Sequence, residues 1–169
     1  KHETLTPVTF VGKKSVRLEP GAEVVSDEIK IDVYQHEWLA VSLYLEDFTQ
    51  MRSSVIITGA LSGGYYSVGD CTESPSLPMK LTRSTNCYYF LSGLDVLTEE
   101  KNHALVCYGD SITAQAWPDE LTLRLVNEGI KNVAVVRKAT SGSRILREYD
   151  NITYESYGVK GLTRFARGR

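Results

Sequence analysis

The residues best placed to do chemistry are Gly109-Asp110-Ser111-Ile112-Thr113, where a serine stands at the tip of a sharp turn. Residues 105–108, Leu-Val-Cys-Tyr, read as a strand running into Gly109, and Trp117-Pro118-Asp119-Glu120 reads as a helix start. Strand, loop and helix in that order make an α/β unit, and ligands of open α/β sheets bind at the carboxyl ends of the strands. Ser111 falls at that end. A serine hydroxyl is a weak nucleophile until an adjacent base, normally a histidine oriented by a carboxylate, takes its proton. The first backbone N–H groups after a strand-to-helix turn have no intrahelical acceptor, so the Ser111 amide is also a candidate donor to a developing oxyanion. The bland alternative is a turn or cap, for which Asp and Ser are both favoured.

The elements around this turn must hold it. Pro118 suits a first helical turn, Asp119 and Glu120 complement the helix dipole, Leu121, Leu125 and Val126 supply an apolar face, and Gly129 stops the helix. Asn132-Val133-Ala134-Val135-Val136 then returns as a Val-rich strand of the kind found in covered parallel sheets. Together these elements make one right-handed βαβ unit. One such unit cannot bury both faces of its sheet.

Gly109-Asp110-Ser111-Ile112-Thr113 resembles the first block of the SGNH, or GDSL, hydrolase family, and Thr140-Ser141-Gly142-Ser143-Arg144, after the second strand, resembles its second block. The resemblance implies ester hydrolysis through an acyl-enzyme on Ser111, with the oxyanion held by the N–H groups of Ser111 and Gly142. A glycine backbone can approach a ligand closely, which suits that role and equally an ordinary turn. Asp110 is implied to brace the loop through backbone hydrogen bonds rather than to serve as the triad acid. No cofactor and no metal are implied, and the substrate class is a small ester, an acetylated carbohydrate among the options.

The family's Gly-X-Asn-Asp and Asp-X-X-His blocks do not occur in this sequence. Its histidines are His2, His36 and His103. His103 begins the strand that ends near Ser111, which puts it roughly 25 Å from the serine at about 3.3 Å per residue. None is a candidate base. The chain is therefore expected to be the amino-terminal portion of a hydrolase and a poor esterase alone, with the remainder of the hydrolase domain, in the same gene product or a second chain, as its partner. The arginine-rich closing stretch Thr163-Arg164-Phe165-Ala166-Arg167-Gly168-Arg169 fits a tryptic boundary.

Upstream, the pattern is strand-like and punctuated by turns. Ser15-Val16-Arg17-Leu18 stops at Pro20-Gly21; Ile29, Ile31 and Val33 alternate with Lys30 and Asp32; Leu39, Val41, Leu43 and Leu45 share one face; and 55–58 and 87–91 are rich in β formers. Residues 62–86, full of Gly, Ser, Pro and Thr, read as a long loop. The expected fold is α/β overall: a β-sandwich, jelly-roll-like accessory domain over 1–98, then the first βαβ portion of a flavodoxin-like SGNH hydrolase domain over 103–169. A β-rich domain ahead of the hydrolase also resembles a recurring bacterial arrangement. The rival class is a non-catalytic carbohydrate- or partner-binding β module, for which Tyr65-Tyr66 and Tyr88-Tyr89 offer stacking faces.

Composition bounds the rest. The 169 residues, 42% hydrophobic and 24% charged, exclude a disordered chain, and no apolar run reaches the length of a membrane span. The net charge of −2 divides unevenly, with residues 1–130 at −8 and 131–169 at +6. The cations of the second part are interspersed with apolar residues rather than massed in a block, so they read as awaiting carboxylate partners and not a nucleic acid. Three cysteines are too few for a disulfide scaffold; Cys107 reads as a core residue, and pairing of Cys71 with Cys87 is left open. The amino end carries neither an apolar signal run nor a Met, and the compartment, bacterial cytoplasm or secreted, is left open. Asn151-Ile152-Thr153 fits a glycosylation acceptor.

Overall fold

In a computed structural model of the chain, the residues described are 5–35, 37–46, 55–56, 59–78, 80–149 and 159–166. His2, His36, the 151–153 triplet and the last arginines lie outside them. The chain forms two compact units, one of residues 1–44 and 68–81, the other of 45–67 and 82–169.

The first unit is organised around Asp27. Its carboxylate accepts from Thr9 Oγ1 at 2.6 Å, from Gly12 N at 2.8 Å and from Val11 N at 2.9 Å, while Asp27 N donates to Thr9 O at 2.8 Å. These bonds, the Thr9 hydroxyl foremost, hold the Asp27 carboxyl below the usual aspartate range. They clasp a turn in which Phe10 and Lys13 exchange backbone hydrogen bonds across Val11 (φ 52°) and Gly12 (φ 75°), the paired positive φ values of a hairpin turn. The period-two stretches at 15–18, 29–33 and 39–45 carry no ladder among the described residues. Alternation gives a segment an apolar face, but a ladder also needs a second backbone in register, and local pattern does not supply one.

The second unit holds three small sheets. β1 (Val55–Ile56) pairs antiparallel with β4 (Cys87–Tyr88), and β2 (Gly64–Tyr66) pairs antiparallel with β3 (Arg83–Thr85). β5 (His103–Gly109) and β6 (Val133–Ala139) pair in parallel, in register from His103↔Val133 to Gly109↔Ala139. Three helices accompany them: α1 (Ser111–Ala114), α2 (Trp117–Asn127) and α3 (Gly161–Phe165). α2 carries Pro118 in its first turn, and its last turn is closed by Ile130 N to Leu125 O and Gly129 N to Val126 O, both 2.9 Å. This is the paired closure that a left-handed residue after a helix permits, and Gly129 takes φ 75°.

The β5–β6 pair with α1 and α2 is the expected βαβ unit in its elements. Its strands are not buried as their composition predicts. Of β5 only Cys107 is buried, at 6% exposure, while Leu105 and Val106 remain 46% and 45% exposed. The reason is topological: helices that pack from one crossover leave the rest of a two-stranded sheet uncovered. All three cysteines are free thiols. Burial pushes the Cys107 thiol up, with the nearby Arg137 charge opposing more weakly. Because the thiolate is the reactive form, Cys107 is expected to alkylate with iodoacetamide more slowly than the half-buried Cys71 and Cys87, as timed peptide mass mapping will read.

Candidate active site

Ser111 is half-buried at the start of α1, directly past the carboxyl end of β5. Asp110 caps this short helix, its Oδ1 accepting from Ile112 N at 3.0 Å, and Ala114 N donates to Asp110 O at 2.9 Å. The Asp110 side chain thus fastens the loop on its own backbone, as a cap does. Gly109 must be a glycine here, since a Cβ would lie 2.3 Å from Thr113 Oγ1 and 2.7 Å from Thr113 Cβ.

Gly142 lies in the turn that leaves β6. Ser143 N donates to Thr140 O at 3.2 Å across that turn, and Gly142 takes φ 75°, a conformation that disfavours a side chain. The parallel register places Gly109 opposite Ala139, so the Ser111 loop and the Gly142 turn leave the same end of the sheet. Thr140 N donates to Gly109 O at 3.1 Å and ties the two loops together. Neither the Ser111 amide nor the Gly142 amide has an acceptor among the described residues. His103 begins β5, at the opposite end of the strand from Gly109.

Two groups of residues that the sequence did not single out hold this corner. The first is centred on Arg137 of β6. Its guanidinium donates to Ala114 O at 3.1 Å and Gln115 O at 2.9 Å, carbonyls at the end of α1, and to Asp119 Oδ1 at 3.0 Å. Asp119 Oδ2 accepts from Leu61 N at 3.1 Å. The buried pair therefore joins β6, the Ser111 helix, α2 and the 59–61 segment. A cation of the basic second part has its carboxylate within the chain, and Asp119 serves a buried ion pair besides the helix dipole.

The second group is α3 against the 140–145 loop. Gly161 N donates to Arg144 O at 2.7 Å and Leu162 N to Ile145 O at 3.0 Å, while the Tyr108 hydroxyl donates to Gly161 O. The Phe165 ring meets Tyr108 edge-on at 5.4 Å. Arg164 lies over the Tyr108 ring at 4.9 Å and reaches Ser143 Oγ at 3.0 Å and Gly109 O at 3.4 Å, so one guanidinium touches both loops. The signal for it in the sequence was only an arginine among others in a basic tail.

Comparison of the chain with family models, with curated proteins and with solved structures finds no match.

Proposed function

We propose that this chain carries the nucleophile and two oxyanion donors of an SGNH-type serine esterase acting on small esters, acetylated carbohydrates included. The observation that supports it is the juxtaposition at one end of the β5–β6 pair: a half-buried serine hydroxyl and two backbone N–H groups, of Ser111 and Gly142, with no acceptor among the described residues. Ser111 Oγ attacks the ester carbonyl as its proton passes to a base, and the N–H groups take the negative charge of the tetrahedral oxygen. Collapse breaks the bond to the alcohol, which leaves with that proton, and water then releases the acid from the acyl-serine. The base and its orienting acid belong, in this reading, to the remainder of the hydrolase domain, because no Asp-X-X-His block is present.

The test is acid quenching of the native hydrolase during turnover of p-nitrophenyl acetate, followed by peptide mapping. An acetyl group on Ser111 is expected; acetylation confined to other residues overturns the reading. A second reading, a non-catalytic carbohydrate- or partner-binding module, draws on the exposed rings of Tyr65 and Tyr66.

A further inference from the structure

We propose that an open groove in the second unit, away from the β5–β6 sheet in sequence and topology, is a subsite for a neutral oligosaccharide. The groove has a volume of about 760 Å³ and is lined by Leu45, Tyr66, Ser84, Thr85, Asn86 and Tyr89. That volume falls within the ordinary range of small-ligand sites.

The lining chemistry selects the ligand. None of the six lining residues is charged, and Arg83, paired with Tyr66 across the ribbon on the same face, donates from its guanidinium to Thr82 O at 3.0 Å, so the lining itself offers no counter-charge to a phosphate, a carboxylate or an amine. It offers two phenol rings, the Thr85 hydroxyl and the Asn86 carboxamide, with Ser84, paired to Tyr65 on the other face of the ribbon, contributing backbone. Tyrosine rings present a flat apolar face and a polar tip, suited to the C–H face and hydroxyl rim of a pyranose. Thr and Asn side chains both donate and accept, which matches hydroxyls that do the same.

The backbone arranges these groups. Gly64 pairs with Thr85 and Tyr66 with Arg83, so Thr85 and Tyr66 share one face of the β2–β3 ribbon. Gly64 leaves room for Thr85 to lean across: a Cβ there would lie 2.9 Å from Thr85 Cγ2. Thr85 Oγ1 accepts from Cys87 N at 3.1 Å, which leaves its O–H to donate. Asn86 Oδ1 accepts from Cys87 Sγ at 3.4 Å and leaves the amide NH₂ to donate. Tyr89 opens a tight turn: Leu91 N donates to Tyr89 O at 2.8 Å across Phe90, which sits at φ 61°. A non-glycine residue held at positive φ stores strain, and such strain persists where the surroundings fix the geometry. Resting on the acetylated-carbohydrate reading above, the groove is where the glycan chain of such a substrate would be gripped.

The test titrates the ¹⁵N-labelled chain with neutral hexasaccharides of xylose, mannose, glucose and N-acetylglucosamine up to about 10 mM, the weak end of specific binding. At least one is expected to shift the amides of Ser84, Thr85, Asn86 and Tyr89. Tyr66→Ala, at an exposed ring, and Tyr89→Ala are each expected to weaken binding roughly tenfold, with Tyr89→Phe within about threefold of wild type because the stacking face is kept. No shifts with any of the four, shifts confined to other residues, or unchanged affinity in both alanine variants overturns the proposal. Ser111→Ala is expected to bind like wild type. Glycan binding without acyl-serine formation on the native hydrolase sinks the esterase reading and leaves the groove; acyl-serine formation without binding here sinks the groove alone.

Discussion

On the esterase proposal, Ser111→Ala in the full-length protein is expected to lower kcat for p-nitrophenyl acetate on the order of 10⁴-fold or more, with KM little changed. The alanine removes the atom that becomes covalently bonded, while the Ser111 N–H and the Gly142 turn stay in place. Losses of this size are typical when a nucleophile acting as a unit with its base is deleted, and the residue of activity comes from the oxyanion donors and binding. The same reasoning makes a second comparison. On the proposed reading, the 169-residue chain by itself carries the serine without an Asp-X-X-His block, so it is expected to hydrolyse the ester with a similar deficit. Its Ser111→Ala variant is then expected to differ little from it. A chain that turns over the ester rapidly alone, and keeps that rate with Ser111→Ala, would place the chemistry elsewhere. Steady-state kinetics on the four proteins decide this.

Asp119→Ala is expected to destabilise the second unit by about 3 kcal/mol or more, the loss typical of a buried ion pair broken on one side. The Asp119 and Arg137 side chains are 9% and 19% exposed, so the remaining guanidinium cannot recover its full hydration. The Leu61 amide loses its acceptor as well. Nor is there slack in the neighbourhood: a Cβ at Gly59 would stand 1.7 Å from Asp119 Oδ2. Replacing both partners, Asp119→Leu with Arg137→Met, is expected to cost less than Asp119→Ala, because no charge is left stranded. Urea unfolding reads the difference as a lower midpoint at unchanged slope for Asp119→Ala. Equal midpoints for wild type and Asp119→Ala would show that the pair contributes nothing. Since Arg137 also holds the carbonyls of Ala114 and Gln115, Asp119→Ala is further expected to loosen α1, seen as faster amide exchange of Ala114.

Local residue chemistry determined much of the second unit. Pro118 and the acidic first turn start α2, Gly129 ends it, and the Val-rich run 133–136 lies within a strand parallel to the one that begins at His103. These signals are legible because caps, stops and β-branched runs act over a few residues. Ser111, Asp110 and Gly142 were likewise visible as residue types in turn contexts, and the parallel register leaves the two loops at one sheet end.

What only the tertiary structure decided are the contacts between residues far apart in the chain. Nothing in the composition of 131–169 pairs Arg137 with Asp119, brings Arg164 to both Gly109 and Ser143, or assembles Tyr66, Thr85 and Tyr89 around one groove. Burial is decided in the same way. Leu105 and Val106 are residues that a core accepts, yet whether a strand is covered depends on how many helices pack on it. A side chain's polarity and backbone preference belong to the residue, and the sequence states them outright. Its partner and its cover belong to other segments, and they come into being only when the chain has folded.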